Sequence, residues 1–574
     1  MVVIDRIRIH GFRGIEHLQM PLSSTTVLLG ANNCGKSTVL KALELALSDE
    51  MVVSMADFHE PEDGRAGDFL YVDVRFVPIT GKKRRPYFSP AWQEEFKGHI
   101  SRDAHGREFF AFRTAFNKQA DGTTLKTRSE LVQWEAGKAG AAIDALPQAL
   151  QFVGIDAEED IREAFLNENS FVSRMYEKLK ETLAGNPELG DYPIQSLRKM
   201  LDGLSETLVG PGSKIPDSFV LTAQNIRALF SLVKHDAAEQ APVSALQGRG
   251  SLKSAAIMAI LTLADLLVQG HRYRQKPLFL LLAAEEPETH LHPNAQRALM
   301  HEFSQLSEQL IVSTHSPYVA SVCEPREFRS MIRTGANVRV QWLPQKLDAA
   351  ENRSIKRLIL RYRGEVLFAR GVVFVEGVTE EQLIRGMFQA YFGDDPSAYG
   401  ISLIGVDGKS YAPFMLTALS LKIPFCVISD NDGDARHVVL KQLEEMRRKV
   451  HVSENKKTQA TCFLSPGLAI EGELVFKTQL HREIIDALMA CSQSLNPSPK
   501  ALKLQRERLE KATPKELKRR LEKKKAEYSG FLGEIILKNP YGQPIEARIP
   551  RAVLEAFETI AAWLGLEGVR NKAQ

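Results

Sequence analysis

The segment Gly30-Ala31-Asn32-Asn33-Cys34-Gly35-Lys36-Ser37 constrains this chain more than any other. It reads GxxxxGK[ST] and lies between the apolar run Thr26 to Leu29 and the amphipathic stretch VLKALELAL. A strand, a glycine loop and a helix in that order form a phosphate cradle, because glycine lets successive backbone N–H groups turn toward one anion. Lys36 is placed to neutralise the β/γ-phosphates, and Ser37 to ligate Mg²⁺. Asn32, Asn33, Gly35, Lys36, Ser37 and Thr38 are therefore the candidate contacts for ATP.

Downstream, LFLLLAAEEPETHLHP is a buried-strand pattern ending in Glu285 and Glu286. A strand tip can set the first near the Mg²⁺ of a phosphate loop and the second near an attacking water. Glu288 suits the capping of the next helix better. IVSTHSP then places Thr314 and His315 at the end of another strand, where an imidazole can meet a γ-phosphate.

The last third carries a second constellation. Gly371-Val-Val-Phe-Val-Glu376-Gly-Val-Thr-Glu380 is a strand, a carboxylate, a turn and a second carboxylate. Pro424 to Asp434 is another strand, ending in Asp430, Asp432 and Asp434. Parallel strands bring such ends to one edge, and divalent cations relieve the repulsion among the acids gathered there. Oxygen ligands select Mg²⁺, with Mn²⁺ as the alternative. An EF-hand is excluded, since Lys441 stands where its bidentate Glu belongs.

Composition sets the boundaries of this reading. The 574 residues imply two or three folded units. A net charge of +3 leaves no overall basic coat, so nucleic-acid contact has to be local. Lys500 to Lys525 is such a patch, holding twelve Lys or Arg against four Glu, although a solvated helix with i,i+4 pairs reads the same way. Five scattered cysteines support neither a zinc knuckle nor a disulfide framework and fit a reducing cytoplasm. No apolar run is long enough for a signal peptide or a membrane span.

The expected fold is α/β throughout. An ATPase N-terminal part covers 1–79, a mostly helical insertion with a dimerisation role 80–215, and an ATPase C-terminal part 216–345. A linker at 346–365 leads to an α/β domain at 366–574 with a helical, basic segment.

The phosphate loop, acidic strand and histidine resemble the ABC-type ATPase heads of the RecF, SMC and Rad50 group. That resemblance puts a signature loop at Val243 to Ser251, where Gly248, Gly250 and Ser251 match, and implies that two heads dimerise across ATP. The missing heptads exclude a long coiled-coil arm. EGxxE followed by DxD resembles a Toprim domain, and an ABC head followed directly by Toprim resembles the OLD (overcoming lysogenisation defect) nucleases. EEPETHLHP, STHSP and LFARGVVFVEGVTEE carry the likeness.

The resemblance implies two-metal cleavage of DNA. Glu376, Asp430 and Asp432 match metal-ligating positions, and Glu380 the second site. A further acid is Glu471, with Glu473 in reserve. A late lysine is Lys525, with Lys523 and Lys524 as alternatives. The implied partners are the DNA backbone, further copies of the chain, and a helicase, reverse transcriptase or other anti-phage defence subunit. A non-catalytic repair ATPase and a topoisomerase-like strand passer are the rival readings. The first has no need of clustered acids, and the second needs a tyrosine module that the sequence does not display.

Overall fold

The computed structural model describes the chain except residues 49–52, 61–66, 82, 120, 122, 156–267, 269–275, 290, 336, 345–346, 362–363, 494–497 and 567–574. The signature-loop residues Gly248, Gly250 and Ser251 thus lie outside the described residues. Two compact units divide the chain, Met1–Trp342 and Leu343–Gln574.

The first unit pairs two sheets. One is antiparallel, built on β1 (Val2–Phe12), β2 (Ile15–Pro21), β4 (Phe69–Thr80), β7 (Glu108–Lys118), β8 (Thr124–Gln133) and β9 (Lys138–Ala142) in the order β2-β1-β4-β7-β8-β9. The short strands β5 (Lys83–Arg84) and β6 (Ile100–Arg102) pair with β4 and β7. The other sheet runs β10-β11-β12-β3-β13-β14. Its strands are β3 (Thr25–Leu29), β10 (Leu150–Ile155), β11 (Phe279–Glu285), β12 (Gln309–Ser313), β13 (Phe328–Thr334) and β14 (Asn337–Gln341). All neighbours are parallel except β13 and β14. Helix α1 (Lys36–Leu47) packs on both sheets through Val39, Leu43 and Ala46. Phe76 of the first sheet meets Phe279 of the second edge-to-face at 5.1 Å. Such a contact adds a directional preference to simple area burial.

The helical insertion expected at 80–215 is corrected over its described part. Residues 83–155 are mostly strand, and α2 (Pro90–Glu95) is the helix among them. Charged loop residues obscured the signal. EFFAFRTAF is a strand buried on both faces, which leaves an apolar run without clean alternation. The helices expected at 156–215 lie outside the described residues.

The second unit holds a parallel sheet of β15 (Gly371–Val375), β16 (Ile401–Gly405), β17 (Phe425–Ser429) and β18 (Gln459–Phe463), ordered β16-β15-β17-β18. The chain leaves β15 toward β16 and returns past it to β17. The crevice between the carboxyl ends of β15 and β17 is therefore the topological switch point, where open α/β sheets bind ligands. The expected linker at 346–365 is also corrected. It contains helix α3 (Ala349–Arg361), which buries Ile355, Leu358 and Ile359 and whose Glu351 pairs with Lys449.

Helix α4 (Val378–Phe392) follows β15, and the 25-residue helix α5 (Pro514–Lys538) lies against it. Their backbones touch: a Cβ at Gly386 would lie 2.4 Å from the Gly533 carbonyl oxygen. The Ser529 hydroxyl also donates to Gln382. Gly386→Ala is expected to force the helices apart and destabilise the chain by roughly 1–3 kcal/mol. A thermal melt reports this, and an unchanged midpoint would show that the contact yields freely.

Candidate functional site

In the first unit the carboxyl ends of β3, β12 and β11 lie side by side and deliver the phosphate loop, His315 and the Glu285–Glu286 pair to one edge. Gly30, at φ 147°, passes so close to β13 that a Cβ would fall 2.5 Å from the Met331 carbonyl oxygen. Lys36 is buried, and its Nζ donates to the carbonyls of Gly30 (2.9 Å) and Ala31 (3.0 Å). The loop thus holds the ammonium centrally, where a phosphate chain would exchange for those carbonyls. The Ser37 hydroxyl donates to Glu285, which joins the two groups expected around one cation. Asn32 and Asn33 stand exposed at the loop's crest, and Thr38 lies in the first turn of α1.

His315 Nε2 is 3.5 Å from Glu286 Oε1. Burial, then the neighbouring Lys36 charge, push the His315 pKa below its ordinary value. Its ring is thereby kept neutral near pH 7. Glu288 has a role that the sequence did not disclose. One of its oxygens accepts from the Thr314 hydroxyl (2.6 Å) and the backbone N–H groups of His315 (2.9 Å) and Ser316 (3.1 Å). It fixes the turn that carries His315 instead of capping the next helix. Nucleotide size and acidity match this donor set: glycine amides and an ammonium for phosphate, a hydroxyl and carboxylates for Mg²⁺.

In the second unit Glu376 follows β15 directly and Asp430 follows β17. Glu380 sits in the first turn of α4, and Glu471 in the first turn of α6 (Ile470–Lys477). Strand ends and helix starts together make one acidic pocket. Burial, then repulsion from Glu380, Glu376, Asp432 and Glu471, raise the Asp430 pKa to about 8. Burial also raises Glu376, with Lys409 and Lys525 pulling the other way and Asp432 and Glu471 adding to it. Glu380 rises for the same reasons, burial first and then Glu471 and Glu376.

Glu376 Oε2 and Asp430 Oδ1 are buried with no hydrogen-bond partner. Orphaned carboxylate oxygens beside like charges suit a hard divalent cation. Among the described residues, no three His, Cys, Asp or Glu side chains already close into a ligand shell. The carboxylates are neighbours that repel one another and have yet to be drawn inward.

Two expected ligands are placed differently from the other acids. Glu473 accepts from the Ser465 N–H (3.0 Å) and hydroxyl (3.1 Å), so it braces the turn before α6. Asp434 lies at the N-terminus of helix Ala435–Lys449 with its side chain 76% exposed, outside the pocket. Asp432 stays at the rim, 3.3 Å from Lys409 Nζ. Lys525 interrupts α5 with non-helical dihedrals and acts electrostatically on Glu376. Lys524 instead pairs with Glu527 (3.2 Å).

Comparison with known proteins gives matches in both halves of the chain. Residues 367–432 match the family description "Overcoming lysogenization defect protein-like, TOPRIM domain". Residues 135–321 match an AAA domain described for an AbiEii toxin of type IV TA systems. The OLD nuclease of Thermus scotoductus is 23% identical over 80% of this chain and 88% of its own length. The Old nuclease of Escherichia phage P2 is 24% identical over 71% of this chain and 73% of its own. Protein YbjD of Escherichia coli is 25% identical over 75% and 80%.

The raised Asp430 pKa has a signed consequence for stability. Below the ordinary carboxylate pKa of about 3.9, folded and unfolded chains are both protonated at this residue. Between there and about 8, the folded chain keeps a proton that the unfolded chain has given up. Stability is therefore lost as pH rises through that window. In EDTA, the melting midpoint of the wild type is expected to fall more between about pH 5 and about pH 8.5 than that of Asp430→Asn. Parallel pH profiles would contradict the raised Asp430 pKa.

Proposed function

Because this is an OLD-like chain, an ABC-type ATPase head followed by a Toprim domain, we propose that it is an ATP-governed, divalent-metal-dependent DNA endonuclease. One observation carries the reading: four carboxylates, two with orphaned buried oxygens, share a switch-point crevice with Lys525. Glu376, Glu380, Asp430 and Glu471 are the residues that would hold Mg²⁺ or Mn²⁺, with Asp432 at the rim. Bound cations supply an activated water and charge neutralisation at the leaving oxygen. Lys525 adds a positive charge for the scissile phosphate, and Lys409 keeps Asp432 oriented.

The exposed face of α5 suits the substrate. Lys515, Arg519 and Lys523 recur every four residues along one face of α5, and all three are exposed. Contacts of this kind grip the phosphate backbone without reading sequence. The ATPase site would govern assembly or DNA access, since phosphodiester hydrolysis needs only cations, water and positioned charge. A second copy of the chain would complete the nucleotide site by head-to-head pairing. Service in anti-phage defence, with a further subunit as trigger, follows from the resemblance to OLD proteins.

Supercoiled plasmid incubated with Mg²⁺ or Mn²⁺, with and without ATP, tests this. Glu376→Ala is expected to lower nicking by roughly 100-fold or more. Lys36→Ala is expected to remove the ATP effect and spare the metal requirement. Undiminished cleavage by Glu376→Ala would place the chemistry elsewhere. Lys515→Ala combined with Arg519→Ala and Lys523→Ala should weaken DNA binding and flatten its salt dependence by roughly one log unit per lost contact or less. An unchanged salt slope would take DNA off this face.

A further inference from the structure

Tyr528 is one of two fully buried tyrosines among the described residues, with Tyr411, whose hydroxyls lack partners near the acids and for which the proposed chemistry has no use so far. It lies three residues past Lys525, is fully buried, and its hydroxyl has no hydrogen-bond partner. Leaving such a donor unsatisfied costs about 1–3 kcal/mol, and buried hydroxyls are normally paired. The groups around it are acceptors. Helix α5 packs on α4, which carries Glu380, and on α6, which carries Glu471. Glu471, Glu380 and Asp430 all act electrostatically on the Tyr528 ring, and burial, ahead of those three, raises its pKa so that it stays a neutral donor.

The placement of Tyr528 is rigid. The neighbouring Ser529 donates to Gln382, and the backbones of Gly533 and Gly386 touch one turn further on. A tyrosine on this part of α5 cannot withdraw from the pocket without parting the two helices. The pocket therefore pairs a fixed, unpartnered donor with carboxylates that have to be brought together.

We propose that Tyr528 is a positioning residue for the metal centre: its hydroxyl, unpartnered here, would donate to the Glu471–Glu380 side of the pocket once a divalent cation draws the acids together, and would hold those carboxylates in a ligating orientation. This rests on the reading of the acidic pocket as a metal site. A hydrogen bond from a neutral phenol orients a ligating carboxylate without adding a competing cation, which is how outer hydrogen bonds tune ligands. Lys525, by contrast, is exposed and stays available to a phosphate.

The test uses the full chain and Mn²⁺ alone, titrated by electron paramagnetic resonance without DNA. Tyr528→Phe keeps the ring and removes only the donor, and its melting midpoint in EDTA is expected to match or exceed that of wild type. Its Mn²⁺ affinity is expected to fall by about 10-fold or more. Tyr399→Phe serves as the control. Its hydroxyl donates to the Phe392 carbonyl (2.8 Å), away from the acids, and its loss should leave Mn²⁺ binding unchanged. Equal Mn²⁺ affinity in wild type and Tyr528→Phe would overturn the proposal, as would equal losses in the two Phe variants. A wild type that binds Mn²⁺ but never cleaves plasmid would sink the nuclease reading and leave this inference standing.

Discussion

Carboxylates held near one another at a poorly solvated crevice are costly to ionise, through burial first and then mutual repulsion, and the second unit gathers four of them at one place. Parallel pairing of β15 with β17 fixes Glu376 and Asp430 on one sheet edge. The first turns of two helices add Glu380 and Glu471. None of the four can retreat, because each is tied to the end of a regular element with a buried core beneath it. Protonation eases the cost of both burial and repulsion in part, in keeping with an Asp430 pKa pushed up to about 8. Divalent cations would relieve it more completely and would make the cluster useful. The lysines at the rim, Lys409 and Lys525, lower the cost of gathering the acids without filling the pocket.

The first unit solves a related problem with the opposite charge. Its glycine loop concentrates N–H groups and the Lys36 ammonium, and satisfies the ammonium with loop carbonyls. Glu285 and Glu286 arrive on the strand beyond β12, and Glu288 fixes the histidine turn between them and the loop. Both sites stand at the carboxyl ends of parallel strands, because there helix N-termini and strand tips converge and side chains from distant sequence positions meet.

Much of this was legible in the sequence, for definite reasons. Strands ending in a carboxylate are short apolar runs with an abrupt polar stop, so β11, β15 and β17 and their acids could be read directly. Lys36 and Ser37 were fixed by spacing. The strands at 83–155 were not legible, because strands buried on both faces lose the alternation that marks a half-buried strand. Glu471 and Glu473 are two residues apart and equally acidic in sequence. Only the turn at Ser465 separates them, by occupying Glu473. Tyr528 carried no signal at all, since its role depends on the close crossing of α4 and α5 through Gly386 and Gly533.

The central claim is that the acidic crevice is a divalent-cation site. A crystal of the full chain soaked with Mn²⁺ and measured at the manganese absorption edge tests it most directly. The account predicts anomalous density between Glu376 and Asp430, extending to the side of Glu380 and Glu471, at carboxylate–metal distances of about 2.0–2.3 Å. Anomalous density confined to other acidic surfaces, with the crevice carboxylates still apart, would contradict it.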